Sequence, residues 1–310
     1  MAHEEKTFRA YTQEQGATYA AGRPGYAPAL FKIIVDHHTS TGGQLDTIVD
    51  AGCGTGQATQ DLAPYFANTI GLDASEGMIN TARASAKSSA RPIRFEVSGA
   101  EALGSDLEPP IADGSVDLLT VATAAHWFDM AGFWRSAARV LKPGGTVALW
   151  ARTGPAVNPH RTPNGAAIRA AVDEIYQDEL NGYERQGSIL TRDLYVNLPL
   201  PWTLEVPVQE LDKASFFRRE WNKDREGAEN EDLGTGRTVT PEQFERLMET
   251  NSTVTRWREE NPSKVGTEED VARKIRRRVE DLLHEAGVKP GEEALRLEVA
   301  IVLLMVKKVQ

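Results

Sequence analysis

The chain has 310 residues, of which 40% are hydrophobic and 26% are charged. This composition is typical of a globular protein and excludes collagen-like, coiled-coil and wholly disordered chains. One cysteine, Cys53, excludes an intramolecular disulfide framework and favours a reducing compartment. The net charge of −10, from 35 basic and 45 acidic residues, opposes binding to duplex nucleic acid.

Membrane, metal and nucleic-acid partners are not expected. No apolar run reaches the roughly 18 residues of a membrane span, and the polar N-terminus does not resemble a signal peptide. We therefore expect a cytoplasmic protein. Basic residues cluster at 273–278, and apolar residues recur through this stretch at helical spacing. This basic stripe is typical of the solvent-exposed face of an amphipathic helix. His37 and His38 are interpreted as a helix end rather than a metal site.

The first half of the chain predicts a parallel α/β sheet. Residues 1–40 are interpreted as an N-terminal lid segment that ends in a helix from Pro28 to His37. In residues 41–151, β-rich runs alternate with helical runs, which indicates βαβ units. The predicted strands are 46–51, 68–73, 93–98, 116–122 and 145–151, and the predicted helices are 57–66, 75–87 and 130–141.

The second half has a weaker pattern. Residues 152–294 are interpreted as cap and acceptor-binding insertions that include a sixth strand, either Trp202–Val208 or Phe216–Trp221. Two helices are predicted at 241–259 and 267–286. The β-rich run in residues 295–310 is the candidate final strand of the sheet.

The most informative motif joins the first predicted strand to a helix. Asp50 is followed by Gly52, Gly54 and Gly56 at alternate positions, and glycine allows a ligand to approach the backbone closely. Gln57 stands where a dinucleotide fingerprint has its third glycine, which argues against pyrophosphate binding. The alternative is a purely structural turn.

An acid at the end of the second strand favours a nucleoside ligand. Asp73 follows Gly56 by seventeen residues, and a carboxylate there accepts two hydrogen bonds from a ribose diol. Met78 is placed to lie on an adenine face, with ordinary core packing as the alternative.

These residues resemble a known family. DAGCGTGQAT, the acid at strand 2, SGAEAL, AHWFD and RVLKPGGTVALW are similar to the motif set of class I S-adenosylmethionine-dependent methyltransferases. YAAGRPGYAP and AHWFD further resemble the trans-aconitate methyltransferase group. The resemblance implies a Rossmann-like sheet of seven strands with the last strand antiparallel, a helical cap, and S-adenosyl-L-methionine as cofactor.

The resemblance also implies roles for single residues. The three glycines would pass under the methionine and ribose, and Asp50 would order their loop or reach the cofactor ammonium. Further cofactor-binding residues are expected along the pocket and on the lid. They are Asp73 at the ribose, Ala100 and Glu101 at the adenine, Thr123 and Ala124 at the reacting centre, and Tyr19 and Arg23 on the N-terminal segment.

His126 carries two functional interpretations. It is either a general base for an acidic hydroxyl, because an imidazole titrates near pH 6.5, or a pocket wall beside Trp127. Plain packing is the third alternative. A carboxylate acceptor needs no base, because a carboxylic acid of pKa about 4 is already ionised at pH 7.

Acceptor recognition is assigned to the cap. An anionic acceptor would use arginines, whereas a hydrophobic acceptor would use aromatic side chains. The candidate substrate-binding residues are Trp127, Arg152, Tyr183, Arg192, Arg256 and Trp257.

Three functions remain open from the sequence. The first is carboxyl O-methylation of a small polycarboxylate such as trans-aconitate. The second is O-, N- or S-methylation of a secondary metabolite, and the third is a catalytically silent cofactor-binding or scaffold protein. Methyl transfer needs no metal, so we expect none. The oligomeric state is not predicted.

Overall fold

The structure, a computed structural model, describes residues 25–86, 91–225 and 233–309. The chain divides into two compact units, of which the first holds residues 1–151, 197–219 and 302–310 and the second holds 152–196 and 220–301. Among the helices of the described ranges, none is long and apolar enough to cross a membrane.

Ten strands occur in the described ranges. They are β1 (Thr47–Ala51), β2 (Asn68–Asp73), β3 (Arg94–Val97), β4 (Val116–Ala122), β5 (Leu141–Arg152), β6 (Ala156–Val157), β7 (Leu211–Trp221), β8 (Gly236–Val239), β9 (Leu295–Glu298) and β10 (Ile301–Lys308).

The α-helices described in the same ranges fall between these strands. They are α1 (Pro28–Ser40), α2 (Gln57–Leu62), α3 (Glu76–Ser85), α4 (Met130–Val140), α5 (Gly165–Ile175), α6 (Gln186–Arg192), α7 (Pro241–Glu249), α8 (Ser252–Glu260) and α9 (Val271–Glu285).

The first unit is built on a seven-stranded sheet with the order β3-β2-β1-β4-β5-β10-β7. Strands β1 to β5 pair in parallel, and the last strand is antiparallel. This confirms the predicted Rossmann-like fold. Because β1 lies between β2 and β4, the strand order reverses there, and the carboxyl ends of these strands border a crevice.

Buried strands and helix caps explain the accuracy of the prediction in this unit. Six of the seven residues of β4 are buried, which matches its continuous apolar pattern. The Ser75 hydroxyl accepts the Met78 N–H at the start of α3. Asp129 accepts the N–H groups of Ala131 and Gly132 at the start of α4.

Two boundaries in this unit differ from the prediction. The predicted helix over 57–66 ends at Leu62 and continues as a 3₁₀ turn, Ala63–Tyr65, that contains Pro64, because proline lacks the N–H that α-helix continuation needs. Strand β5 starts at Leu141 rather than residue 145. Leu141 pairs with Val116 ahead of a bulge, after which the register resumes at Leu118 and Thr146.

The structure decides between the two candidates for the sixth strand. Phe216–Trp221 lies within β7, whereas Trp202–Val208 forms turns and loop. The Trp202 ring packs edge-on against Phe216, with 5.1 Å between the ring centroids. Trp202 therefore packs against the strand instead of extending the sheet.

The prediction of one final strand over 295–310 is wrong. The run splits into β9, which pairs with β6 and β8 in a separate antiparallel sheet, and β10, which lies in the main sheet. Between them the Val299 N–H donates to the Thr235 carbonyl and the Ala300 N–H donates to the Thr153 hydroxyl. These bonds redirect the backbone between the two sheets.

The second unit combines the small sheet with helices around its own apolar core. This core includes Ile168, Phe244, Trp257 and Ile275. The single helix predicted over 241–259 is two helices. The chain turns at Thr250, and the Asn251 side chain then caps α8 by accepting the Thr253 N–H.

The basic stripe lies on α9, as the periodicity predicts. Each of its members forms an ion pair with an acid. The pairs are Arg273 with Glu245, Lys274 with Glu179, Arg276 with Glu245 and Glu280, Arg277 with Glu268, and Arg278 with Glu285. The stripe is therefore locally neutralised.

Glu298 provides a stability test for the second unit. Its side chain is 0% exposed, and it accepts hydrogen bonds from Arg296 and Asn222. Because removing one partner of a buried pair leaves the other uncompensated, Glu298→Ala is expected to lower the free energy of unfolding by about 3 kcal/mol. Urea denaturation measures this change.

The matched control is Glu285→Ala, because Glu285 forms an exposed pair with Arg278 at 3.6 Å. An exposed pair contributes about 1 kcal/mol or less. Equal losses in the two variants would contradict a stabilising role for the buried carboxylate.

Candidate functional site

A pocket opens in the first unit at the carboxyl ends of β1, β2 and β4. Residues that follow each of these strands line it, as expected for a sheet whose order reverses at β1. The lining residues are Tyr26, Gly52, Cys53, Gly54, Thr55, Gln57, Ala58, Asp73, Ala74, Met78, Ser98, Ala100, Glu101, Ala122, Thr123, Ala124, Trp127 and Phe128.

The glycine loop forms the floor of this pocket. Gly52, Gly54 and Gly56 all have positive φ, which favours glycine. A Cβ on Gly56 would come within 2.7 Å of the Phe95 ring, whereas a Cβ on Gly54 would meet nothing within 4 Å. Gly56 is thus required by packing, and Gly54 leaves the backbone open to a ligand.

Asp73 joins the glycine loop to the start of α3 through its two carboxylate oxygens. One oxygen accepts the Gly54 N–H at 2.9 Å and the other accepts the Ser75 N–H at 2.8 Å. A carboxylate has about four lone-pair sites, so this type of group is able to accept ribose hydroxyls as well as backbone N–H groups. These bonds also orient the carboxylate at the pocket wall.

Asp50 lies beneath the loop and does not line the pocket. Its carboxylate is buried and accepts the hydroxyls of Thr59 at 2.6 Å and Thr120 at 2.8 Å. Burial raises the pKa of Asp50 to about 6 because desolvation disfavours the charged form. The two threonines stand on α2 and β4, so Asp50 joins the elements on either side of the loop.

Glu101 connects the pocket to the AHWFD segment. Its side-chain oxygen accepts the Asp129 N–H at 2.9 Å, and its carbonyl accepts the Ser136 hydroxyl. Asp129 in turn caps α4. The pocket wall that Glu101 and Ala100 contribute is therefore tied to the turn that carries Trp127 and Phe128.

Tyr26 and Thr123 meet at the β4 side of the pocket. Their hydroxyl oxygens are 3.0 Å apart. The Tyr26 ring packs edge-on against Trp150 and Phe31, with centroid distances of 5.5 and 6.1 Å. This contact joins the chain ahead of α1 to the end of β4.

His126 is next to the pocket residue Trp127 but does not itself line the pocket. It lies in a 3₁₀ turn, Ala125–Trp127, and its ring centroid is 4.6 Å from that of Trp127. His126 therefore packs against a residue of the pocket lining.

The pocket gathers most of the predicted cofactor residues of the first unit. Those along its lining are Gly52, Gly54, Asp73, Met78, Ala100, Glu101, Thr123 and Ala124. Tyr19 and Arg23 lie outside the described residues. The sequence interpretation did not assign Tyr26 or Phe128, although both stand inside quoted motifs, YAAGRPGYAP and AHWFD.

The remaining predicted acceptor residues belong to the second unit. Arg192 pairs with Glu184 at 2.9 Å, and the Arg256 Nε donates to the Tyr183 carbonyl at 2.8 Å. Trp257 is 3% exposed within the core of that unit. These residues and Arg152 stay predictions for acceptor binding.

Comparisons with known proteins agree with this geometry. Residues 49–149 match the family described as a methyltransferase domain. A putative methyltransferase of Dictyostelium discoideum is 35% identical over 43% of this chain and 45% of its own length. A probable S-adenosylmethionine-dependent methyltransferase of Saccharomyces cerevisiae is 27% identical over 81% of this chain and 83% of its own length.

The fold has a similar solved structure. A putative type II methyltransferase from Anaeromyxobacter dehalogenans superposes with a TM-score of 0.58 at 24% identity, over 93% of this chain and 97% of that chain. Residues 49–149 therefore form a methyltransferase domain, and its cofactor is S-adenosyl-L-methionine. The open backbone at Gly54 and the position of the Asp73 carboxylate on the pocket lining fit the adenosine part of this cofactor.

Two substitutions test the cofactor site. Asp73→Ala removes the ribose acceptor, and Gly54→Val fills the open floor, so both are expected to weaken S-adenosylmethionine binding. Loss of a hydrogen bond to a charged group costs about 1.5–3 kcal/mol, or roughly 10- to 150-fold in affinity. Titration calorimetry measures the dissociation constant. Asp61→Ala on α2 is the control, and wild-type affinity in both folded test variants would contradict the site.

Asp50 predicts a pH dependence of stability. Its pKa rises from 3.8 to about 6 on folding, so the folded state binds the proton more tightly than the unfolded state. Ionisation therefore costs stability as pH rises through the window from about 4 to 6. Relative to Asp50→Asn, the free energy of unfolding of the wild type should fall by about 3 kcal/mol across this window. Urea titrations at several pH values measure the difference, and parallel profiles would argue against it.

Proposed function

We propose that this protein transfers the methyl group of S-adenosylmethionine to a carboxylate oxygen of a small polycarboxylate such as trans-aconitate. The observation that carries the proposal is the chemistry of the pocket wall. No histidine, lysine or arginine occurs among the described residues that line it. Such a wall suits a nucleophile that needs no general base, and a carboxylate is ionised at pH 7 without one.

The cofactor supplies an electrophilic methyl group on its sulfonium. The protein residues hold the two reactants in line and exclude water, a contribution of up to roughly 7–11 kcal/mol. Asp73 orients the ribose, the glycine loop supports the chain beyond it, and Trp127 and Phe128 provide an apolar wall. Arg152, Arg192 and Arg256 stay candidates, from the sequence, for binding the acceptor carboxylates.

A second candidate is O-, N- or S-methylation of a secondary metabolite. The aromatic side chains of Tyr26, Trp127 and Phe128 on the pocket wall favour it, because aromatic surfaces bind planar apolar groups. A cytoplasmic location and the lack of a nucleic-acid partner belong to the same proposal and rest on the single cysteine and the net charge.

A methyl-transfer screen tests the function. Wild-type protein is incubated with methyl-labelled S-adenosylmethionine and either polycarboxylates or phenols, and the products are identified by mass spectrometry. We expect label in a methyl ester of a polycarboxylate and, at a subsaturating cofactor concentration, much less label with Asp73→Ala. Label in a phenol ether alone would favour the second candidate, and label in neither set would reject both.

His126 separates the two candidates by mechanism. With a carboxylate acceptor, His126→Asn is expected to change kcat less than tenfold, because His126 is not among the residues that line the pocket and no base is needed. The pH profile of kcat/KM should show no essential group between pH 6 and 7. A base would contribute about 10²–10⁴-fold. A loss above about 100-fold, with the cofactor still bound, would contradict carboxylate methylation.

A further inference from the structure

Three arginines of the second unit lie close enough for their charges to act on one another. Arg169 stands on α5, Arg192 is the last residue of α6, and Arg225 follows the end of β7. Burial, together with the charges of Arg169 and Arg192, lowers the pKa of Arg225. Because charges in solution are largely screened beyond roughly 10 Å, the three guanidiniums form one arginine cluster.

Two members of the arginine cluster lack an ion-pair partner among the described residues. They are Arg169 and Arg225, which are both half-buried, whereas the acid whose charge acts on Arg225, Asp173, is exposed. Arg192 differs, because its guanidinium donates to both carboxylate oxygens of Glu184, at 3.1 and 2.9 Å. A partly desolvated cation without an adjacent acid is stabilised by a bound anion.

Hydrogen bonds place the helices of the cluster together independently of these charges. Arg169 and Tyr176 are seven residues apart, so they share one face of the helix. Tyr176 begins a π-helical turn, Tyr176–Leu180, and such turns are frequent at functional sites. The Tyr176 hydroxyl donates to Glu184 at 3.1 Å, and Glu184 is the acid that holds Arg192. Side chains of α5 and α6 therefore meet in one polar group.

The turn that carries Arg225 is strained and anchored. Arg225 has a φ of 59°, which is uncommon for a residue other than glycine, and its N–H donates to the Asn222 carbonyl at 2.9 Å. The Asn222 amide donates in turn to the buried Glu298 carboxylate at 3.2 Å. Backbone strain of this kind persists where the surrounding structure fixes it, and it clusters at ligand-binding sites.

We propose that Arg169 and Arg225 form a binding site for a carboxylate anion in the second unit, beside the Arg192–Glu184 pair. A guanidinium presents a planar fork of N–H donors that matches the two oxygens of a carboxylate. The bound anion offsets the repulsion among the three cations. The carboxylate comes from one of two sources, the methyl acceptor or a separate small carboxylate. The first source rests on the proposed function, whereas the second does not.

Calorimetric titration tests the site directly. trans-Aconitate, citrate and inorganic phosphate are titrated into the 310-residue chain as wild type, Arg169→Met, Arg225→Met and Arg225→Lys. We expect both methionine variants to bind the two carboxylates about 10- to 100-fold more weakly than the wild type. Arg225→Lys keeps the charge but not the planar fork, so it should lose less affinity than Arg225→Met.

Two controls accompany the titration. Arg277→Met removes an exposed arginine of α9 that pairs with Glu268, and it should bind the carboxylates like the wild type. S-Adenosylhomocysteine affinity reports on folding, because Arg169 and Arg225 are not among the described residues that line the cofactor pocket. We expect this affinity to be unchanged in every variant.

Steady-state turnover separates the two sources of the carboxylate. If it belongs to the methyl acceptor, Arg225→Met should raise the KM for trans-aconitate by about tenfold or more and change kcat much less. If it belongs to a separate ligand, carboxylate binding should weaken in the calorimeter while the KM for trans-aconitate stays unchanged.

Three results overturn the proposal. The first is a wild type that binds neither carboxylate, and the second is equal carboxylate affinity in the wild type and both methionine variants. The third is tighter binding of phosphate than of either carboxylate, which would assign the arginine cluster to another anion. Failure of the proposed function appears separately, as a lack of polycarboxylate turnover by the wild type, while calorimetry still reports on the arginine site.

Discussion

The carboxylate of Asp73 organises the pocket through two backbone hydrogen bonds. It accepts the N–H of Gly54 from the loop after β1 and that of Ser75 ahead of α3. Hydrogen bonds to an ionised acceptor are about twice as strong as neutral ones. The residue that offers acceptor sites to the ribose therefore also shapes the floor on which the cofactor lies.

Two further carboxylates extend this arrangement outward. Asp50 connects α2 to β4 beneath the loop, and Glu101 connects the turn after β3 to the start of α4. Asp50 accepts a hydroxyl from a residue 70 positions away, and Glu101 accepts an N–H from a residue 28 positions away. These hydrogen bonds fix the loops at the strand ends. Other residues of the same loops line the pocket, where a ligand binds.

Asp50 differs from Asp73 and Glu101 in how deeply its carboxylate is buried. Asp50 is fully enclosed, and desolvation raises its pKa to about 6. Asp73 and Glu101 line the pocket instead. Asp50 thus serves the architecture at some cost in stability near neutral pH, whereas Asp73 and Glu101 face the site where a ligand binds.

The sequence alone determined the parallel sheet, the glycine loop and the acid at the end of β2, because local signals encode them. Apolar runs predicted β1, β2 and β4, and glycines and caps marked the turns. It did not determine the role of Tyr26, which reaches Thr123 across 97 positions, or the division of 295–310 between two sheets. It also left Phe216–Trp221 and Trp202–Val208 equivalent. Only the tertiary structure decided these points, because strand pairing and side-chain contacts between distant segments depend on which surfaces meet after folding and not on the local pattern of either segment.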